Sequence, residues 1–205
     1  MKLIVQSGGY VFRMGNPKME KLPKIDGVID YANHKERNDF WDIYLGAKSK
    51  FHLGTSSGYY VVPDFFDVPN LISETTEVIP LLGMKKYDLY LPRLIKDNKT
   101  GKKLNFRSYF RPDFMAIQLN VEKYLNNMNC SIIKNTEEDL LDATKEFLDR
   151  DKKFTENKTN VQFGNLQKRY KILANQTLEK HFSPKLTIYS APPEKFLERN
   201  LELFE

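Results

Sequence analysis

Residues 51–74, FHLGTSSGYYVVPDFFDVPNLISE, constrain the fold more than any other stretch of this chain. They open with a short apolar strand, Phe51 and Leu53, and pass into a small-residue turn of Gly54, Thr55, Ser56, Ser57 and Gly58. An apolar stretch with helical potential follows over 59–66, and a second short strand over 70–73. Glycine permits a tight turn and the close approach of another group to the backbone. Ser56 or Ser57 suits a helix N-cap, and a helix behind it presents free N–H groups and the positive end of its dipole. Strand, small polar turn and helix start together form an anion site, most often one for phosphate. The same pattern also suits a capped helix in an ordinary α/β domain, so it does not name a ligand.

Composition narrows the class. A chain of 205 residues suits one domain, or one with an appendage, and 40% hydrophobic content supplies a core. No run approaches the roughly 20 apolar residues of a membrane span, and no signal peptide opens the sequence. The single cysteine, Cys130, excludes an internal disulfide framework and points to a reducing, cytoplasmic setting. The net charge of +5 comes from 32 basic and 27 acidic residues that are interspersed, so basicity is weak evidence for nucleic acid. P-loop, HExxH and EF-hand patterns are absent.

In chain order, residues 2–6 read as the last turn of a helix stopped by Ser7, Gly8 and Gly9. A parallel α/β domain that opens this way suggests the second half of something longer, or a naturally shortened version. Residues 10–14 read as a buried strand carrying Arg13 at its end, and residues 27–31 as a second strand. Ligands in open parallel sheets bind outside the carboxyl ends of the strands. A guanidinium there can hold a diphosphate bidentately, or simply pair with a nearby carboxylate. Asp39 reads as the cap of a helix to about Lys48, with Phe40, Ile43, Tyr44 and Ala47 at 3–4 spacing as a core stripe. Glu74 lies just past the strand over 70–73, where it can accept from sugar hydroxyls or be solvated. Residues 78–83 read as a loop, 88–91 as a strand followed by Arg93, 96–101 as a turn, and 120–128 as a helix. The clearest helix spans 135–150, capped by Thr136 and acidic in its first turn, and a second long helix spans 161–178. Residues 196–204 close the chain as an amphipathic helix.

Several of these residues stand in an order that resembles a family of bacterial glycosyltransferases found with surface-polysaccharide genes. That family runs D-x-x-L-x-A-x-x-x-F, then G-T-x-S-G, a helix, and F-x-x-P. Here those positions are Asp42, Leu45, Ala47, Phe51, Gly54, Thr55, Ser57, Gly58, Phe66 and Pro69. FRMG at 12–15, IDYA at 29–32 and LPRL at 91–94, where the family usually has LPKL, extend the likeness. It is more distantly similar to the D-[ST]-G loop of heptosyltransferases, although Ser56 stands where that loop has Asp. The resemblance implies an α/β fold with a Rossmann-like parallel sheet flanked by helices, of the GT-B C-terminal type. Residues 1–150 would form the nucleotide-sugar-binding domain and residues 151–205 a helical C-terminal extension.

The resemblance implies a metal-independent glycosyltransferase with no cofactor beyond its nucleotide-sugar donor. The diphosphate would rest on Ser56, Ser57 and Gly58 with Arg13 beside it, Arg93 as a further cation, and Gly54, Thr55 and Glu74 completing the site. The acceptor would be a glycan or a lipid-linked glycan, reached by a cytoplasmic protein that can sit at the inner membrane face. No catalytic base can be named, because in this class it usually comes from the acceptor domain, supplied here by a separate partner or a homodimer. The rival expectation is a non-catalytic Rossmann-like module that binds a protein partner or nucleic acid.

Overall fold

The computed structural model describes residues 1–76, 83–115, 125, 127–156 and 162–205, the side chains of 151–156 excepted. The expected loop over 78–83 and helix over 120–128 therefore fall largely outside the described residues. The fold is mixed α/β, with parallel strands flanked by helices. A short helix α1 (Lys2–Gln6) leads through Gly8, at φ +86°, into β1 (Val11–Phe12), which pairs in parallel with β2 (Val28–Ile29). Helix α2 (Asp39–Lys48) follows, and Asn38 rather than Asp39 is its cap, accepting from the Trp41 N–H at 3.0 Å.

A three-stranded parallel sheet is the centre of the molecule, in the order β3 (His52–Thr55), β4 (Asn70–Thr75), β5 (Leu89–Pro92). The middle strand β4 and its neighbour β5 are almost wholly buried, as runs covered on both faces must be. Strand β3, with no partner on its outer side among the described strands, alternates half-buried and exposed positions. Beyond β5 the chain returns once more: Ala191 bridges Leu89 in parallel, and the Ser190 hydroxyl donates to the Asp88 carbonyl at 2.9 Å. Arg93 separates β5 from β6 (Leu94–Asp97), whose last two residues run into the turn expected over 96–101, closed by the Gly101 N–H donating to the Asp97 carbonyl at 2.8 Å. β6 pairs antiparallel with β7 (Cys130–Ile133).

The α-helix between β3 and β4 is shorter than the expected 59–66. A 3₁₀ turn (Gly58–Tyr60) feeds α3 (Val61–Phe65), and Ser57 at its start makes no side-chain cap bond. A five-residue helix carries little dipole, so the helix-start argument from sequence is correspondingly weak here. A buried 3₁₀ turn (Phe106–Phe110) and the short α4 (Pro112–Met115) add Phe106, Tyr109, Phe110, Phe114 and Met115 to the same core as β4 and β5. Helix α5 (Glu137–Glu156) starts on a reciprocal cap in which the Asp139 N–H donates to Thr136 Oγ1 at 3.1 Å and the Thr136 N–H to Asp139 Oδ2 at 3.0 Å.

Helix α6 (Asn165–His181), α7 (Glu194–Glu198) and a final 3₁₀ turn (Leu201–Phe204) share one apolar cluster with the sheet. Phe106 sits edge-on to both Tyr170 and Phe204, at 5.2 and 5.0 Å between ring centres.

The expected core stripe of α2 is not in the core. Phe40 is 66% exposed, and Trp41, Ile43 and Tyr44 are exposed too. The helix instead seats itself on α3 through Gly46, where an added Cβ would lie 2.9 Å from Val62 and 3.0 Å from the Tyr59 hydroxyl. Of the stripe at 3–4 spacing, Phe40, Ile43 and Tyr44 are thus exposed and Ala47 is half-buried.

Candidate functional site

The carboxyl edge of β3–β4–β5 gathers seven of the eight residues singled out from sequence. Thr55 aligns with Ser73 and Thr75 with Pro92, so the turn of Ser56, Ser57 and Gly58 leaves β3 at the level of the last residues of β4, and Glu74 lies within that strand rather than just past it. The Arg93 N–H donates to the Thr75 carbonyl at 2.8 Å, which fixes the start of the Arg93 side chain at the same edge. Thr55, Ser57 and Gly58 are exposed, and a Cβ added at Gly58 would meet nothing within 4 Å. Gly54 is needed for a different reason: the His52 ring lies across it, 2.7 Å from where a Cβ would stand. Burial holds the His52 pKa below its usual value, and its Nδ1 faces Asn70 Oδ1 at 3.0 Å.

Glu74 is the unusual residue of this edge. Its φ of +54° is one that side chains other than glycine seldom adopt, and the β4–β5 register shifts between Ile72 and Thr75. Four interactions hold it there. Its N–H donates to Asn135 Oδ1 at 3.1 Å, and its carboxylate accepts from the Asn135 N–H at 3.0 Å. Its carbonyl accepts from Arg93 Nε at 2.7 Å, and Oε2 lies 3.7 Å from the same nitrogen. The two terminal nitrogens of Arg93 have no hydrogen-bond partner among the described residues, and its side chain is 31% exposed. A guanidinium held by one edge with its fork unoccupied can receive an anion bidentately.

Arg13 is not brought to this edge by any bond or ion pair. It stands at the carboxyl end of β1, donating to Asp30 Oδ1 at 2.8 Å and to the Glu20 carbonyl at 2.6 Å, with its side chain 11% exposed. The structure thus realises the carboxylate-pairing alternative for Arg13. Beside it, an open cleft of about 540 Å³ lies between the turn after β2 and the start of α2. That cleft offers His34 and Arg37 but also Asp39 and Asp42, and Arg37 is 3.5 Å from Asp42. Two carboxylates make it a poor host for a diphosphate.

Tyr59, which could have stacked on a ligand, donates to the Asp42 carbonyl at 2.8 Å and braces α2 instead. Burial, then the nearby Asp42 carboxylate, push its pKa up to about 12. Residues 54–58 also spell Gly-x-Ser-x-Gly, the pattern that places a nucleophilic serine on a strained strand-to-helix turn in hydrolases. Among the described residues the non-glycine positions with positive φ are Asp67, Glu74 and Asn129, so Ser56 is not strained in this way. Asn135 is the site residue that sequence reasoning passed over. In the sequence it reads only as the start of a capped helix, and nothing local marks a partner 61 positions earlier.

No group of three His, Cys, Asp or Glu side chains among the described residues is placed to hold a metal ion. No helix among them is long and apolar enough to cross a membrane. Comparison of the chain with protein-family models, with curated proteins and with solved structures finds no match.

Proposed function

We propose that the chain is the donor-binding half of a metal-independent, GT-B-type glycosyltransferase that takes a nucleotide-sugar and serves a glycan or lipid-linked acceptor. The observation that carries this reading is the convergence at one sheet edge of a small-residue turn, a left-handed Glu74 and an Arg93 with an open fork. Sugar transfer requires the departing nucleoside diphosphate to be stabilised, and preorganised donors at a fixed position do this best. In this reading Arg93 grips the diphosphate, and the turn after β3 admits it because Gly58 leaves open space. Arg13, engaged with Asp30, reaches a ligand only if that pair opens. The base that deprotonates the acceptor comes from a partner, either a separate acceptor domain or a second copy of the chain. The exposed apolar face of α2 is a surface such a partner could cover.

The same exposed face favours a second reading, a non-catalytic module that binds a protein partner. The two separate in one experiment: thermal stability against UDP-, GDP-, CMP-, ADP- and dTDP-sugars with the free nucleotides as controls. A ligand at a hundredfold excess over Kd stabilises the native state by about 2.7 kcal/mol. A selective shift that is lost in Arg93→Ala and in Gly58→Trp, both still folded, supports the donor half. Absence of any shift sinks it and leaves the protein-binding module.

A further inference from the structure

We infer that Asn135 is a positioning residue that aims the Arg93 guanidinium. This rests on the proposal that the β3–β4–β5 edge binds a diphosphate. Asn135 lies two residues before α5 and straps the ends of two neighbouring strands together with one side chain. Its Oδ1 accepts from the Glu74 N–H at 3.1 Å on β4, while its Nδ2 donates to the Pro92 carbonyl at 2.7 Å on β5. Its own N–H donates to the Glu74 carboxylate at 3.0 Å. The amide places its acceptor and its donor on two separate atoms, one for each strand; ionised aspartate lacks the donor, and a serine hydroxyl carries both roles on a single oxygen. These bonds fix the left-handed turn at Glu74, and that turn presents the Glu74 carbonyl to Arg93 Nε at 2.7 Å. The guanidinium is therefore held on its inner edge by a carbonyl whose direction Asn135 sets. Removing the strap frees Glu74 to relax out of an unfavourable backbone region, and the carbonyl turns away.

Loss of a purely stabilising contact would lower affinity whether or not Arg93 is present. Asn135 acts through Arg93, so its contribution to anion binding vanishes once Arg93 is gone. Two measurements on the full chain test it. The first follows the Arg93 Nε–H signal in nitrogen-15 NMR without ligand, in the natural chain and in Asn135→Ala. The second measures the affinity for UDP and GDP in Asn135→Ala, Arg93→Ala and the double variant.

The expected result is an Nε–H protected from solvent exchange in the natural chain and broadened by exchange in Asn135→Ala. Affinity should fall by about tenfold or more in each single variant, with no further fall in the double variant. An Arg93 signal unchanged by Asn135→Ala overturns the inference, as do losses that add in the double variant. If the natural chain binds neither nucleotide, the donor reading fails. The NMR comparison then still decides whether Asn135 orders Arg93.

Discussion

At the scale of single residues, the buried carboxylate of Asp88 shows how geometry and burial compete. It is fully buried where β5 begins and accepts from the Asn70 and Lys85 N–H groups, each at 2.7 Å. Those bonds favour the charged form, yet desolvation outweighs them and pushes the pKa from 3.8 up to about 7. A raised folded-state value means that the folded chain keeps this proton where the unfolded chain has lost it. The contribution of Asp88 to stability is therefore greatest in acid, and it declines as pH rises from about 4 to about 7. Asp88→Asn cannot titrate, so the gap in melting temperature between the natural chain and the variant should narrow over that window and then stay constant. A gap independent of pH from 4.5 to 8 would show that Asp88 titrates normally. Nothing in the sequence around Asp88 announces this, because the residues gathered on it include Asn70, 18 positions earlier, and Ser190, 102 positions later, whose hydroxyl donates to the Asp88 carbonyl.

At the scale of elements, the sequence was legible where local chemistry decides and opaque where tertiary partners do. Strands β3, β4 and β5, α5 and its Thr136 cap follow from periodicity and capping, and the small-residue turn was found by its glycines and serines. The fault at α2 is instructive: 3–4 spacing proves an amphipathic helix but not what meets its apolar side. Here Gly46 takes α2 onto α3, and Phe40, Ile43 and Tyr44 remain in solvent. Phe40→Ala should accordingly change stability by less than about 0.5 kcal/mol, whereas a buried phenylalanine loses about 3–5 kcal/mol. Chemical denaturation checks this, and a loss in the buried range would place Phe40 in a packed environment.

The start of α6 was equally hidden, because its cap comes from outside the helix. The Glu194 carboxylate accepts from the N–H groups of Leu166 and Gln167 at 2.9 and 3.0 Å, and it fills the space where a Cβ on Gly164 would stand, 2.2 Å from its Cδ. Loss of a helix cap costs about 1 kcal/mol, and up to about 2. Glu194→Ala and Gly164→Ala should each cost about that much. The double variant should cost no more than Glu194→Ala, since the clash has gone. Additive losses in denaturant melts would break the argument.

At the scale of the molecule, the last 20 residues are part of the core that positions the site. Ala191 extends the sheet beyond β5, and Ile188, Phe196, Leu197, Leu203 and Phe204 are all buried. Arg199 ties this segment to α5 through Asp139 and Asp142, at 2.8 and 2.9 Å, and Lys103 donates to Asn200 at 2.8 Å. Each large apolar side chain taken out of water contributes about 1.5–3 kcal/mol. Five of them amount to about 10 kcal/mol, the size of a whole domain's net stability. Such a loss cannot be absorbed by adjustment elsewhere, and it falls on β5, the strand that leads into Arg93. A chain ending at residue 185 should therefore show no cooperative thermal transition by circular dichroism, and should bind a hydrophobic dye at room temperature. A sharp transition in the shortened chain would mean that β3–β5 and α5 close a core without the C-terminal segment. The candidate site would then be a property of the first part of the chain alone. Loss of the transition would instead make the C-terminal helices a condition for the site, although none of their side chains reaches it by a hydrogen bond or ion pair among the described residues.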